Sequence, residues 1–269
     1  MSTKSKRWVA TMGTLLALAA TSSAQAMTIG YYDSSREMYG FAGNGYLSQA
    51  RQFLVDAGHT LVATNNANAA FLSTVDAFYT GLISSVSATE ISAMQDFVNV
   101  NGGFLFIQQD HDSGSWHAPA QQILANWGIT SSAGTFSNDS GHTTVGSSVW
   151  VTDPNAVSGF TGSAHSAVGN IPVGFETLAT DDAGRIILGV FDAGAGRSSD
   201  VLIATDINFW DDSFGWNDGR NRALWENIWS GAAGQIDPEP VGVPEPETLA
   251  LLGAGLLGLA LSRRRSKRS

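Results

Sequence analysis

The chain has 269 residues, no cysteine and a formal charge of −10. Lack of cysteine excludes a thiol nucleophile, a disulfide framework and cysteine-based zinc or iron–sulfur sites. Between Met27 and Gln235 six arginines and no lysine face twenty carboxylates, a balance near −14 that excludes nucleic acid and anionic lipid as partners of this region.

The first segment carries Lys4, Lys6 and Arg7, then an apolar run from Trp8 to Ala20, then "AQA" at Ala24 to Ala26. Basic, apolar and small-residue segments in that order make an export signal, with Ala24 and Ala26 where signal peptidase reads small residues and Met27 as the expected first mature residue. "MTIGYYD" predicts a first strand ending at Asp33. "YLSQARQFLVDAG" predicts a helix whose Leu47, Ala50, Phe53 and Leu54 share one face and which Gly58 ends. "HTLVAT" and "VDAFYTG" read as the second and third strands. Ser87 and Glu90 have capping-box spacing before Ile91, Met94, Phe97 and Val98 at helical intervals, and Gly102–Gly103 lead into the apolar strand "FLFIQ".

A strand without polar alternation is covered on both faces, as in a parallel sheet. A further helix is expected from about Pro119 to Trp127, and Thr130 to Thr180 holds short β-prone pieces that periodicity does not place. "RIILGVFDAGAGRSSDVLIATD" reads as two strands around a Gly-rich turn, and "GRNRALWENIWSGAAG" as a closing helix with Ala223, Leu224, Ile228 and Trp229 on its apolar face. The alternation of strands and helices predicts one doubly wound α/β domain with a mostly parallel sheet over residues 27–235. A signal peptide (1–26) precedes it, and a linker (236–243) and terminal segment (244–269) follow.

Two stretches resemble proteins of the class I glutamine-amidotransferase-like fold. "MQDFVNVNGGFLFIQQD" is similar to its helix–Gly-Gly–strand segment, and "VLIATDINFWDDSFGWNDGRNRALWENIW" to the strand, acidic loop and closing helix of non-catalytic members. The enzymes of that group place a cysteine in the turn after the central strand, followed later by His and Glu. Here the turn reads "QQDHDSGSWHAP", so the resemblance implies the fold without the amidotransferase chemistry.

That turn is the densest polar cluster. Asp110, His111, Asp112 and His117 follow the carboxyl end of a central strand, where open α/β sheets bind ligands. Such residues fit a divalent cation, a general acid and base, or a solvated loop whose aspartates cap turns. A second cluster, "DINFWDDSFGWNDGRN", holds Asp206, Asp211, Asp212 and Asp218 but lacks the EF-hand pattern, and Asp218 is placed to cap the last helix. Trp116, Trp210 and Trp216 beside these acids fit either sugar stacking or core packing. Ser113 and Ser115 lack a nucleophile elbow, "DAGAGRSSD" lacks dinucleotide-binding spacing, and His59, His142 and His165 read as structural or surface residues.

The chain closes with "VPEPETLALLGAGLLGLALSRRRSKRS". Its uncharged run from Leu249 to Leu261 would be about 20 Å long as a helix, short of a bilayer core of about 30 Å. Arginines at its end would hold that end in the cytoplasm. Pro-Glu-Pro, a Gly-containing apolar helix and a basic terminus in this order closely resemble the PEP-CTERM sorting signal of Gram-negative bacteria. The resemblance implies that Pro244, Glu245 and Pro246 are read by an exosortase, a membrane-embedded transpeptidase. After transient anchoring in the inner membrane, the domain would pass to the cell surface or extracellular matrix. It also implies a setting of exopolysaccharide and biofilm. Two roles follow as expectations: a non-enzymatic binding or structural domain, or a polysaccharide hydrolase centred on Asp110, His111, Asp112 and His117 with Asp206 or Asp211.

Overall fold

The computed structural model describes residues 25–42, 45–111, 114–136, 141–194 and 197–235. Ala24, Asp112, Ser113 and the sorting residues Pro244, Glu245 and Pro246 lie outside them, as do the signal segment and the tail. In chain order the elements are β1 (Thr28–Tyr32), β2 (Glu37–Tyr39), α1 (Ser48–Asp56), β3 (Thr60–Thr64), α2 (Ala69–Leu72), β4 (Ala77–Tyr79), β5 (Leu82–Ile83), α3 (Ala88–Asn99), β6 (Phe104–Gln108) and α4 (Gly114–Leu124). There follow β7 (Ser131–Phe136), β8 (His142–Thr144), α5 (Val149–Thr152), β9 (Gly159–Phe160), β10 (His165–Val168), β11 (Phe175–Thr180), β12 (Ile186–Phe191), β13 (Val201–Ala204) and α6 (Gly219–Gln235).

Five strands run parallel in the order β3-β1-β4-β6-β13. The sheet then continues antiparallel through β12, β11, β8 and β9, with β10 and β7 branching from β12. This is the expected doubly wound core. The antiparallel extension comes mostly from the stretch that periodicity left unplaced. The order reverses between β1 and β4, a switch point at whose carboxyl ends open α/β sheets bind ligands.

The central strand shows why its sequence lacks polar alternation. Phe104 and Phe106 point into one core with Trp210, Trp225 and Trp229, while Leu105 and Ile107 point into the other with Met94, Phe97, Ile123 and Leu124. Both faces are buried, so both side-chain sets must be apolar. In the first core the rings of Trp210 and Trp225 lie 4.8 Å apart, and those of Trp225 and Trp229 5.5 Å. The indoles of Trp210 and Trp225 donate to the carbonyls of Asn221 (3.2 Å) and Ala50 (3.1 Å), which satisfies their buried N–H groups.

Local signals set the helices of the parallel half. In α3 the Ser87 hydroxyl accepts from Glu90 N–H and the Glu90 carboxylate accepts from Ser87 N–H, the reciprocal box expected. Glu90 also accepts from Tyr32 and Arg36. Burial pushes its carboxyl up, but the hydrogen bonds from Arg36, Ser87 and Ala67 outweigh that and bring it down to about 2. Gly58 takes the left-handed conformation (φ +93°) just past α1, where a side chain would be strained. Helix α4 begins at Gly114, five residues earlier than expected, and carries Pro119 inside it. Proline marks a favoured helix start but does not forbid preceding turns at the sacrifice of one backbone bond.

Both ends of the described domain lie at the amino edge of the parallel strands. There Thr28 N–H donates to Asp76 (2.6 Å), Met27 N–H donates to His59 Nδ1 (3.1 Å), and the Gln235 amide donates to Asp200. Among the described residues no helix is long and apolar enough to cross a membrane.

Candidate functional site

At the carboxyl edge the segments that follow β1 and β4 form the β2–β5 ribbon, which pairs antiparallel beside the switch point. Two glycines allow this approach. The buried Glu37 carboxylate sits against Gly40 and Gly81, and a Cβ on either would fall 2.0 or 2.1 Å from a carboxylate oxygen. Gly81 also has φ +58° and Gly40 φ +152°. Glu37 accepts from Ala42 N–H at 2.5 Å. Beneath it, the Tyr79 phenol donates to Gln108 (2.8 Å), and the Gln108 amide donates to the Asp206 carbonyl (2.8 Å). Burial, and then the Glu37 charge, hold the Tyr79 phenol well above its ordinary range. These bonds tie β4, β6 and the end of β13 into a fixed floor.

Asp110 follows β6 at the carboxyl edge, with its carboxylate accepting from the backbone (2.7 Å) and ring (2.9 Å) nitrogens of His111. Burial raises its carboxyl, against the lowering effect of those bonds. Beside it lies a group of aromatic rings. Tyr39 packs 4.7 Å from Tyr46 and 5.0 Å edge-on to Trp116, and Trp116 lies 6.3 Å from the His111 ring. The Trp116 indole meets Met38 at 3.0 Å, and Met38 and Tyr46 are exposed. The Tyr39 phenol is raised by partial burial first, then by Tyr46 and by the charge of Asp110, which places the acid within electrostatic reach of the rings.

Of the residues singled out in the sequence, Asp110, His111 and Asp206 come near one another. Burial and the Asp110 charge push Asp206 up to about 8. Asp206 is nevertheless sealed off: it is fully buried, and its two oxygens accept from Ser163 N–H (2.7 Å) and Asn208 N–H (2.8 Å). His117 turns toward β7, with Nε2 2.9 Å from the Ser131 hydroxyl, which also meets Gln109 and Gln121. Asp211 closes a local turn onto Ser213 N–H. Among the described residues no three acidic or histidine side chains are arranged to hold a metal ion. Of the three tryptophans, Trp210 and Trp216 are core and Trp116 is half-buried at the rim. Sequence reasoning missed Glu37, Tyr39 and Tyr46, which stand in a Gly-containing segment with no periodic signal.

The geometry agrees with known structures at the level of fold. The N-terminal domain of mmIFT52 superposes with a TM-score of 0.64 at 9% identity, over 80% of this chain and 100% of that one. A ThuA-like protein from Bacteroides uniformis ATCC 8492 gives 0.52 at 13% identity, over 76% of this chain and 90% of that one. No curated protein matches the sequence. The central domain thus shares the α/β fold of these structures. Residues 242–265 match the PEP-CTERM protein-sorting motif, so the chain carries the sorting signal of an exported, exosortase-sorted protein.

Proposed function

We propose that the exported domain is a non-enzymatic binding module that holds polysaccharide on the rim formed by Trp116, Tyr39 and Tyr46 beside Asp110. In this reading the tail holds the chain transiently in the inner membrane of a Gram-negative cell, after signal peptidase has cut at Ala26. Exosortase then releases the domain to an exopolysaccharide-bearing surface or matrix. The observation that carries the binding role is the cluster of rings at the ligand-binding edge of the sheet, half-exposed although the fold's other tryptophans with a described environment pack inside. Sugar C–H faces stack on such rings while hydroxyls bond to neighbouring acids. A binding role is favoured over hydrolysis because glycoside cleavage needs two carboxyl groups facing one substrate. Here Asp206, the acid beside Asp110, is enclosed by backbone donors and has no exposed surface.

Calorimetric titration of the mature protein with soluble oligosaccharides tests this. Trp116→Ala and Tyr39→Ala are each expected to weaken binding about tenfold or more, the equivalent of about 1.4 kcal/mol. Unchanged affinity in both variants would remove the rim from the function.

A further inference from the structure

Resting on that reading, we infer that the saccharide held at this rim carries protonated amines, as in a hexosamine polymer lacking its N-acetyl groups. Two features converge. The rings offer electron-rich faces, and a cation near such a face is attracted by the ring quadrupole, more strongly once partly desolvated. Beside them stands a carboxylate, Asp110, buried enough that the surrounding medium screens it less than bulk water would. A neutral sugar would use the ring faces and offer hydroxyls to that acid, but no charge to match it. An anionic, uronic-acid sugar would meet repulsion from Asp110 and from the acidic domain around it.

The protein's own cations do not supply the compensation. No lysine occurs between Met27 and Gln235. Arg36 is held by Glu90 and the carbonyls of Asn65 and Ser85, and Arg51 reaches the Phe41 carbonyl and lies over the Tyr31 ring. Arg185 pairs with Asp181, Arg197 reaches the Asp192 carbonyl, Arg220 is committed to Asp218, and Arg222 to the Trp216 carbonyl. His111, bonded to Asp110, is the basic group of the rim itself. Rings, one carboxylate and an unneutralised acidic surface together complement an ammonium group.

The test compares three β-1,4-linked hexasaccharides that differ at carbon 2: the glucosamine, N-acetylglucosamine and glucose hexamers. Calorimetry on the mature protein at pH 6 should show the glucosamine hexamer binding about tenfold or more tighter than the other two. Asp110→Asn should bring all three within about twofold, whereas Asp96→Asn, an exposed acid on α3, should leave the preference intact. If Asp110→Asn fails to fold, Trp116→Leu serves instead: it keeps apolar area but removes the ring, and should lose the glucosamine hexamer preferentially. Equal, Trp116-dependent binding of all three sugars would overturn the amine inference and leave saccharide binding standing. Binding indifferent to Trp116 would overturn both. A preference reduced as much by Asp96→Asn as by Asp110→Asn would reveal bulk charge attraction only and overturn the inference.

Discussion

The loops after β6 and after β13 are both acidic and aromatic, yet the fold employs them in opposite ways. In the second loop every aspartate is bound to backbone. Asp206 holds Ser163 and Asn208, Asp211 holds Ser213, and Asp218 accepts from Arg220 N–H and the Thr161 hydroxyl. Asp212 reaches across the chain to accept from Ser48 N–H (3.0 Å), Gln49 N–H (2.9 Å) and the Ser48 hydroxyl, which caps α1 where Leu47 supplies no side-chain cap. In the first loop Asp110 bonds only to its neighbour His111 among the described contacts, and its tryptophan stays at the rim. Composition alone therefore says little about a carboxylate; what matters is which donors are aimed at it, since those of the second loop tie distant segments together and those of Asp110 come from the adjacent residue.

Exchanging tryptophans breaks this contrast most forcefully. Trp210→Ala empties a fully buried site and should cost about 3–5 kcal/mol in chemical denaturation. Trp116→Ala should cost about 1 kcal/mol, as a half-buried position does, with its loss appearing in ligand affinity. Equal destabilisation by the two would erase the distinction between the loops.

A pH series sharpens it next. In the fold Asp206 keeps its proton up to about pH 8, through burial and then the charge of Asp110, whereas in the unfolded chain it ionises near 4. Between those values the native state binds the extra proton, so stability falls as pH rises, by up to about 1.4 kcal/mol per unit. Thermal or urea melts of Asp206→Asn should lose that component of the slope. A slope identical to the parent's would show that Asp206 is already ionised in the fold.

The smallest effect expected is at the cap. Asp212→Ala should cost about 1 kcal/mol by leaving the first amides of α1 unsatisfied, without changing oligosaccharide affinity. A loss of affinity instead would mean that the second loop also shapes the rim.

The parallel half was legible because its signals are local. "FLFI" is apolar throughout, Ser87 and Glu90 are three residues apart, and Gly58 stands two residues past the last residue of a helix. The antiparallel half was not, since β8 and β9 are three and two residues long and exist only through partners far along the chain. Of the candidate site, Asp110 and His111 were visible as a dense polar turn after a strand. Their aromatic neighbours were not, because Tyr39 reaches Trp116 from a ribbon whose close packing depends on Gly40 and Gly81, and Tyr46 joins only by packing on Tyr39. Nor could spacing reveal that Asp206, nearly a hundred residues on, shares the electrostatics of Asp110 yet is shut away from solvent.

The chain enters and leaves the domain at the amino edge of the sheet, at Thr28 and Gln235, while the rim occupies the carboxyl edge. A five-residue strand separates those edges by about 16 Å. On the proposed reading, a polymer held at the rim would sit at the edge of the sheet opposite to the one where the described chain starts and stops, so it would not have to pass those two ends.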